Sequence, residues 1–232
     1  MNILLISLAP VLIIIFYIYL RDKYEREPVK LLVRAVLLGG LIVIPIIFLE
    51  RLLAGIMPPA GPVGEAMYYA FVVAGTSEEL IKFLALYLLI WKSPSFNEKF
   101  DGIVYAVCIS LGFAGVENVM YVMEGGYQTA LMRGITAVPA HALFGITMGY
   151  YFGLARMYPE LRGAYLLKSL VIPILLHGVY DFLLMVQQEW LLLVFAAYLT
   201  YLYITGFRKM KITSDSSVFR PAEDENLKNL LP

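Results

Sequence analysis

The sequence predicts an all-α fold, a polytopic transmembrane bundle of about seven helices, and three observations predict it. The 232-residue chain is 60% hydrophobic and only 16% charged, where a soluble domain carries about 25% charged residues. Its mean hydropathy is +0.76. Its apolar residues come in runs of about 20, the length that crosses the hydrocarbon core of a bilayer.

On that ruler the spans fall at 3–20, 31–53, 64–90, 102–123, 131–155, 164–186 and 189–207. The first run, Met1 to Leu20, has no basic residue ahead of it, and Arg21 and Lys23 come after it. A cleaved signal peptide has the reverse layout, so this run reads as a retained span. The connections are short and polar, as at Arg21 to Lys30 and Lys92 to Asp101. Residues 1–207 therefore read as one membrane-embedded domain. Residues 208–232, with Ser214 to Ser217 and Glu223 to Glu225, read as a flexible cytoplasmic tail.

Seven spans alternate the loops between two sides, and the basic residues separate cleanly. Fifteen lie on the side that holds Arg21 to Lys30, Lys92, Lys99, Arg156, Arg162 and the tail. Only Arg51 and Arg133 lie near the other, with Lys82 inside a span. The positive-inside rule then puts the N-terminus outside and the C-terminus in the cytoplasm of a multi-pass cell-membrane protein. A net charge of zero gives no bulk attraction to nucleic acid. The single cysteine, Cys108, lies in an apolar run and reads as an inert core thiol.

Ionisable groups at membrane depth cost several kcal/mol and survive mainly where they face partners or water. The third span carries Glu78, Glu79 and Lys82. Glu78 and Lys82, four apart with the acid first, make a favourable helical ion pair, and Glu79 is expected to point elsewhere as a free acid, base or ligand. The fourth span carries Glu117 and Asn118 behind Gly112 and Gly115, which let a neighbouring helix approach. His141 heads a stripe of Gly145, Gly149 and Gly153 on one face of the fifth span. In the sixth, His177 and Asp181 are four apart on one face, where a carboxylate can fix an imidazole tautomer or both can meet one metal or water. A structural ion pair and a protonated interhelical glutamate are the plain alternatives for the two glutamate segments.

Counted at 1.5 Å per residue, these groups fit one layer in the outer half of the bilayer, so a site there opens toward the extracytoplasmic side. Arg34, Glu50 and Arg51 read as snorkelling residues near span ends, Glu65 as an interfacial residue, and Trp91 and Trp190 as interfacial anchors. The chain has no serine in a nucleophile elbow and no His-Glu-x-x-His helix. Carboxylates with imidazoles leave hydrolysis by acid–base catalysis, with or without a divalent metal.

Glu78-Glu79-x-x-Lys82, Phe113-x-x-x-Glu117, His141 and His177-x-x-x-Asp181, in that order on successive spans, resemble the four motifs of the PrsW family. The segment Arg21 to Pro28 resembles that family too, and the likeness covers most of residues 10–205. The resemblance implies a bacterial membrane protease, distantly similar to the CAAX prenyl endopeptidases. Those enzymes carry a histidine where this chain has Glu117 and an asparagine where it has Asp181, which leaves a glutamate and a metal mechanism both open.

The resemblance also implies a substrate and a cut. The substrate is a single-span anti-sigma factor held in the same lipid membrane. The cut is site-1 cleavage of its extracytoplasmic part, which starts regulated intramembrane proteolysis in a stress response. On the glutamate mechanism Glu79 is the general base and Lys82 holds Glu78. His141 and His177 stabilise the oxyanion or shuttle protons, oriented by Glu117 and Asp181. On the metal mechanism Glu117, His141, His177 and Asp181 ligate a divalent ion. A proton- or cation-coupled transporter could use the same layer, but no internal repeat of that architecture is evident. A non-catalytic chaperone or immunity scaffold is the remaining reading.

Overall fold

The computed structural model describes residues 3–221, which are helical apart from short connections. The helices are α1 (Ile3–Arg21), α2 (Val29–Leu41), α3 (Val43–Gly55), α4 (Pro62–Tyr68), α5 (Ser77–Ile90), α6 (Lys99–Ile135), α7 (Ala137–Met157), α8 (Arg162–Met185) and α9 (Leu191–Asp215). A π-helical segment, Tyr69–Thr76, joins α4 to α5. A 3₁₀ turn, Pro159–Leu161, precedes α8.

Among the described residues, five stretches are long and apolar enough to cross a membrane: Ile3–Arg21, Val29–Gly55, Lys99–Met157, Pro159–Met185 and Leu191–Asp215. The expected count was seven, and the difference has two physical sources. The third expected span is helical but broken by the π segment and loaded with Glu78, Glu79 and Lys82. The fourth and fifth fall within the single 59-residue stretch, which at 1.5 Å per residue is far longer than a bilayer is thick.

That long stretch turns back on itself. Gly126 has φ +71° and ψ −157°, a region only glycine enters cheaply, and it breaks α6 internally. Beyond it, α7 packs along the first part of α6 with almost no space between the backbones. A Cβ on Gly149 would fall onto the carbonyl of Gly102, and one on Gly153 onto that of Lys99. The glycine stripe expected below His141 is thus the contact face of α7. On the other side of α6, Gly112 meets the backbone of α2 at Val36, and Gly39 that of α6 at Ile109. The first part of α6 is the buried centre of the bundle: every residue from Phe100 to Gly115 is buried.

Local chemistry explains the irregularities. Pro45, in the first turn of α3, lacks an N–H and cannot continue α2, so the two helices meet at a break at Ile42. The start of α6 is held by a capping box between Glu98 and Asp101. The tail expected from 208 onward behaves differently at its start. The last helix runs to Asp215, because Met210, Thr213 and Ser214 are buried against the bundle, and Ser217 then donates a hydrogen bond to Glu98. The rest of that expected tail, 222–232, lies outside the described residues.

One end of the bundle gathers Asp22, Glu25, Glu27, Asn97, Glu98, Asp101 and Ser217. Asn97 Nδ2 donates to Glu25 at 2.9 Å, the Glu27 amide donates to Asp22 at 3.1 Å, and the Tyr105 hydroxyl donates to Glu27. The Gly126 turn lies at the opposite end.

Candidate active site

Glu78 and Glu79 open α5 immediately after the π-helical segment. A π turn adds one residue to the helical circuit and rotates the residues beyond it about the axis. Here Ser77, Glu78, Glu79 and Lys82 are all buried. The segment seats closely on α8, where a Cβ on Gly178 would enter the ring of Phe71. Pro139 in the first turn of α7 and Pro173 one turn before His177 mark the two histidine helices.

Lys82 was expected to hold Glu78 and leave Glu79 free. It holds both: Nζ donates to Glu78 Oε2 at 2.9 Å and to Glu79 Oε1 at 2.8 Å. The same ammonium lies 3.4 Å from His141 Nδ1 and 4.2 Å above the Phe113 ring. One arm of the lysine thus reaches both carboxylates, at i−4 and i−3, with all three groups buried.

The two imidazoles are set in matching fashion. His177 Nδ1 is 3.0 Å from Glu79 Oε1, and its Nε2 is 3.4 Å from Asp181 Oδ2. His141 Nδ1 faces Lys82 and lies 3.9 Å from Glu78 Oε2, while its Nε2 is 3.0 Å from Glu117 Oε2. Each ring therefore turns Nδ1 toward the glutamate pair and Nε2 toward an outer carboxylate. The rings meet edge to face with centroids 5.3 Å apart, and Phe144 stacks on His177 at 4.9 Å. All six residues singled out in the sequence, Glu78, Glu79, Glu117, His141, His177 and Asp181, come together in one cluster.

A cavity of about 330 Å³ opens beside the cluster. Glu78, Glu117, His141, His177 and Asp181 line it, whereas Glu79 lies behind them, fully buried. Glu50 and Arg133 also line the cavity. The sequence had assigned Glu50 to snorkelling, but α3 turns it inward. Arg133 was counted only as an outer-side charge, yet it donates to Glu117 and Asn118. Its 16-residue separation from Glu117 hides that contact until the turn at Gly126 is known.

The donor atoms that converge are those of Glu78, Glu79, His141 and His177, all within 4.8 Å of one another. This differs from the expected ligand set of Glu117, His141, His177 and Asp181. Glu117 and Asp181 lie on the far side of each ring, where an outer carboxylate orients a ligating imidazole. The donors, two carboxylates and two ring nitrogens, suit a divalent ion such as zinc in kind. Glu79 Oε2 is buried with no hydrogen-bond partner, a spare ligand atom on one of these residues.

The family model for "PrsW family intramembrane metalloprotease" matches residues 27–207. The chain belongs to the PrsW family. It is 40% identical to Protease PrsW of Geobacillus kaustophilus over 184 residues, 79% of this chain and 80% of that one. It is 38% identical to Protease PrsW of Clostridioides difficile over 217 residues, 91% of each chain. With Protease PrsW of Bacillus subtilis the identity is 36% over 206 residues, 88% of this chain and 92% of the relative. No solved structure matches. As a PrsW family member with five apolar stretches of spanning length among its described residues, the protein is a membrane protein and a peptidase. Its family description fits the converging oxygen and nitrogen donors of the cluster.

Proposed function

We propose that the protein sits in the bacterial cell membrane and makes the site-1 cut in a single-span anti-sigma factor, on the extracytoplasmic side, beginning its regulated intramembrane proteolysis. The observation that carries the chemistry is the paired arrangement of the imidazoles, each with Nδ1 toward the glutamates and Nε2 on an outer carboxylate. That arrangement supplies proton acceptors and donors around a cavity of about 330 Å³.

We assign the general base to Glu78 and not to Glu79, because Glu78 is the glutamate that lines the cavity. A water on Glu78 loses its proton to the carboxylate and attacks the scissile carbonyl. His141 and His177, held by Glu117 and Asp181, stabilise the oxyanion and return a proton to the leaving amine. Lys82 balances the two carboxylates throughout. On the second reading, favoured by the spare Glu79 oxygen, Glu78, Glu79, His141 and His177 hold a divalent ion. Such an ion, when bound, polarises the carbonyl and lowers the pKa of its water. The chain's own residues then bind the ion, orient the rings and carry the leaving-group proton.

Seven passes with the N-terminus outside remain our reading of the topology. Its support is the charge count, fifteen basic residues against two, together with the meeting of the α1, α6 and α9 ends near Asp22. If the C-terminal end of α1 and that of α9 share one face, Ile3 and Asp215 lie on opposite faces.

Co-expression with a single-span anti-sigma factor tests the activity. Wild type should shorten the factor, and Glu78→Gln and Glu79→Gln should leave it whole; an intact factor with wild type would refute the substrate. Metal analysis of the purified protein, with activity before and after chelation, separates the two mechanisms. Full activity without bound metal eliminates the second.

A further inference from the structure

We propose that Arg133 is a positioning residue: it sets Glu117 against His141 and latches the 127–135 segment of α6 beside the cavity. Arg133 Nη2 donates to Glu117 Oε2 at 2.5 Å, and the same oxygen lies 3.0 Å from His141 Nε2. Arg133 Nε donates to Asn118 Oδ1 at 3.1 Å, and Asn118 Nδ2 donates to the Ser7 carbonyl of α1 at 2.8 Å. The guanidinium stacks over the Tyr121 ring at 4.0 Å. One side chain thus ties the outer part of α6 to its inner part, to α1 and to a residue touching a site histidine.

The contact is not a helical neighbour effect. Sixteen residues along a straight helix span about 24 Å, so Arg133 can reach Glu117 only because Gly126 reverses the chain. The bonds are charge-assisted and share a planar fork, a geometry that lysine cannot reproduce. The arginine and glutamate side chains are 17% and 19% exposed, so solvent screens the pair only partly.

Electrostatics explains why a cation is needed there. Glu50, Glu78, Glu117, Glu124 and Asp181 line the cavity, and among the described lining residues Arg133 is the one arginine or lysine. Lys82 is already committed to Glu78 and Glu79. Without Arg133, Glu117 faces four other carboxylates and has only His141 to hold it. Its carboxylate would swing away from the ring, and His141 would lose the group that fixes its orientation.

The test uses the full chain in lipid nanodiscs, wild type against Arg133→Gln and Arg133→Lys. Hydrogen exchange should rise at least about tenfold in 127–135 of Arg133→Gln and stay unchanged in α7 and α8. Exchange there that matches wild type, or a rise spread over all helices in both variants, would overturn the proposal. The activity arm rests on the proposed substrate and uses a co-reconstituted single-span anti-sigma factor. Arg133→Gln should lower kcat about 30-fold or more with KM within twofold, the pattern of a group acting in the transition state. Arg133→Lys should recover part of the loss, and added guanidinium should partly rescue Arg133→Ala. Unchanged kcat, or loss confined to KM, would contradict the positioning role. If wild type fails to cut the probe, the substrate assignment falls, and the exchange result still decides the latch.

Discussion

Lys82 carries a heavy electrostatic demand, since its ammonium is buried with both Glu78 and Glu79. Replacing it by methionine leaves two dry carboxylates without their cation, and breaking a buried pair in that way costs about 3–5 kcal/mol. Lys82→Met is therefore expected to lower the melting temperature sharply, measured by thermal unfolding in detergent. Adding Glu79→Gln should recover part of the loss, because one of the stranded charges is gone. Asp22 makes the opposite kind of prediction. Burial, with help from Glu27, Glu98 and Glu25 nearby, raises its pKa from 3.8 to about 7. The folded protein thus holds a proton that the unfolded chain releases at lower pH. Asp22 costs nothing below about pH 4, and its cost grows as pH rises from there toward 7. Melting temperature should fall over that window, and Asp22→Asn, which keeps the oxygen that accepts the Glu27 amide, should flatten the fall. An unchanged slope in the variant would count against the assignment.

At the scale of elements, the packing of α6 against α7 and α2 depends on absent side chains. A leucine at Gly149 would drive into the Gly102 carbonyl, and backbone cannot give way as a side chain can. Overpacking of this kind costs typically 1–3 kcal/mol and occasionally more, so Gly149→Leu should lower stability, or abolish membrane accumulation, in a blot of expressed protein. Which elements could be foreseen depends on the range of their causes. The glycine stripe, the His177–Asp181 pair and the grouping of acids on α5 come from spacing within one helix, and were legible as pattern. The π-helical segment before Glu78 was not, because Tyr69–Thr76 carries no proline or charged residue to mark it and seats closely on α8. Nor was the inward turn of Glu50, which results from the break at Pro45, or the Arg133–Glu117 bond, which needs the reversal at Gly126. The sharing of Lys82 by both glutamates was missed for a related reason. Helical spacing puts both i−4 and i−3 within reach of one side chain, and the buried ammonium bonds both acids.

The whole molecule sets a cluster of titratable groups inside an apolar shell, with a cavity of about 330 Å³ beside it. Its fold class was legible because hydropathy alone demands helices in a bilayer. The topology is testable at this scale: reporter fusions should put the C-terminus in the cytoplasm and the N-terminus outside, and the reverse would refute the charge argument. The proposed catalysis rests on the cavity-facing Glu78 and the two imidazoles behind which Glu117 and Asp181 stand. Its most direct measurement is the cleavage rate of a single-span anti-sigma factor in proteoliposomes, for wild type and Glu78→Gln at equal protein. Removing a general base lowers the rate by about 10²–10⁴-fold, so the variant should show no fragment over a time course that consumes the substrate with wild type. Cleavage by Glu78→Gln at a rate near that of wild type would contradict the assignment of Glu78 as the general base.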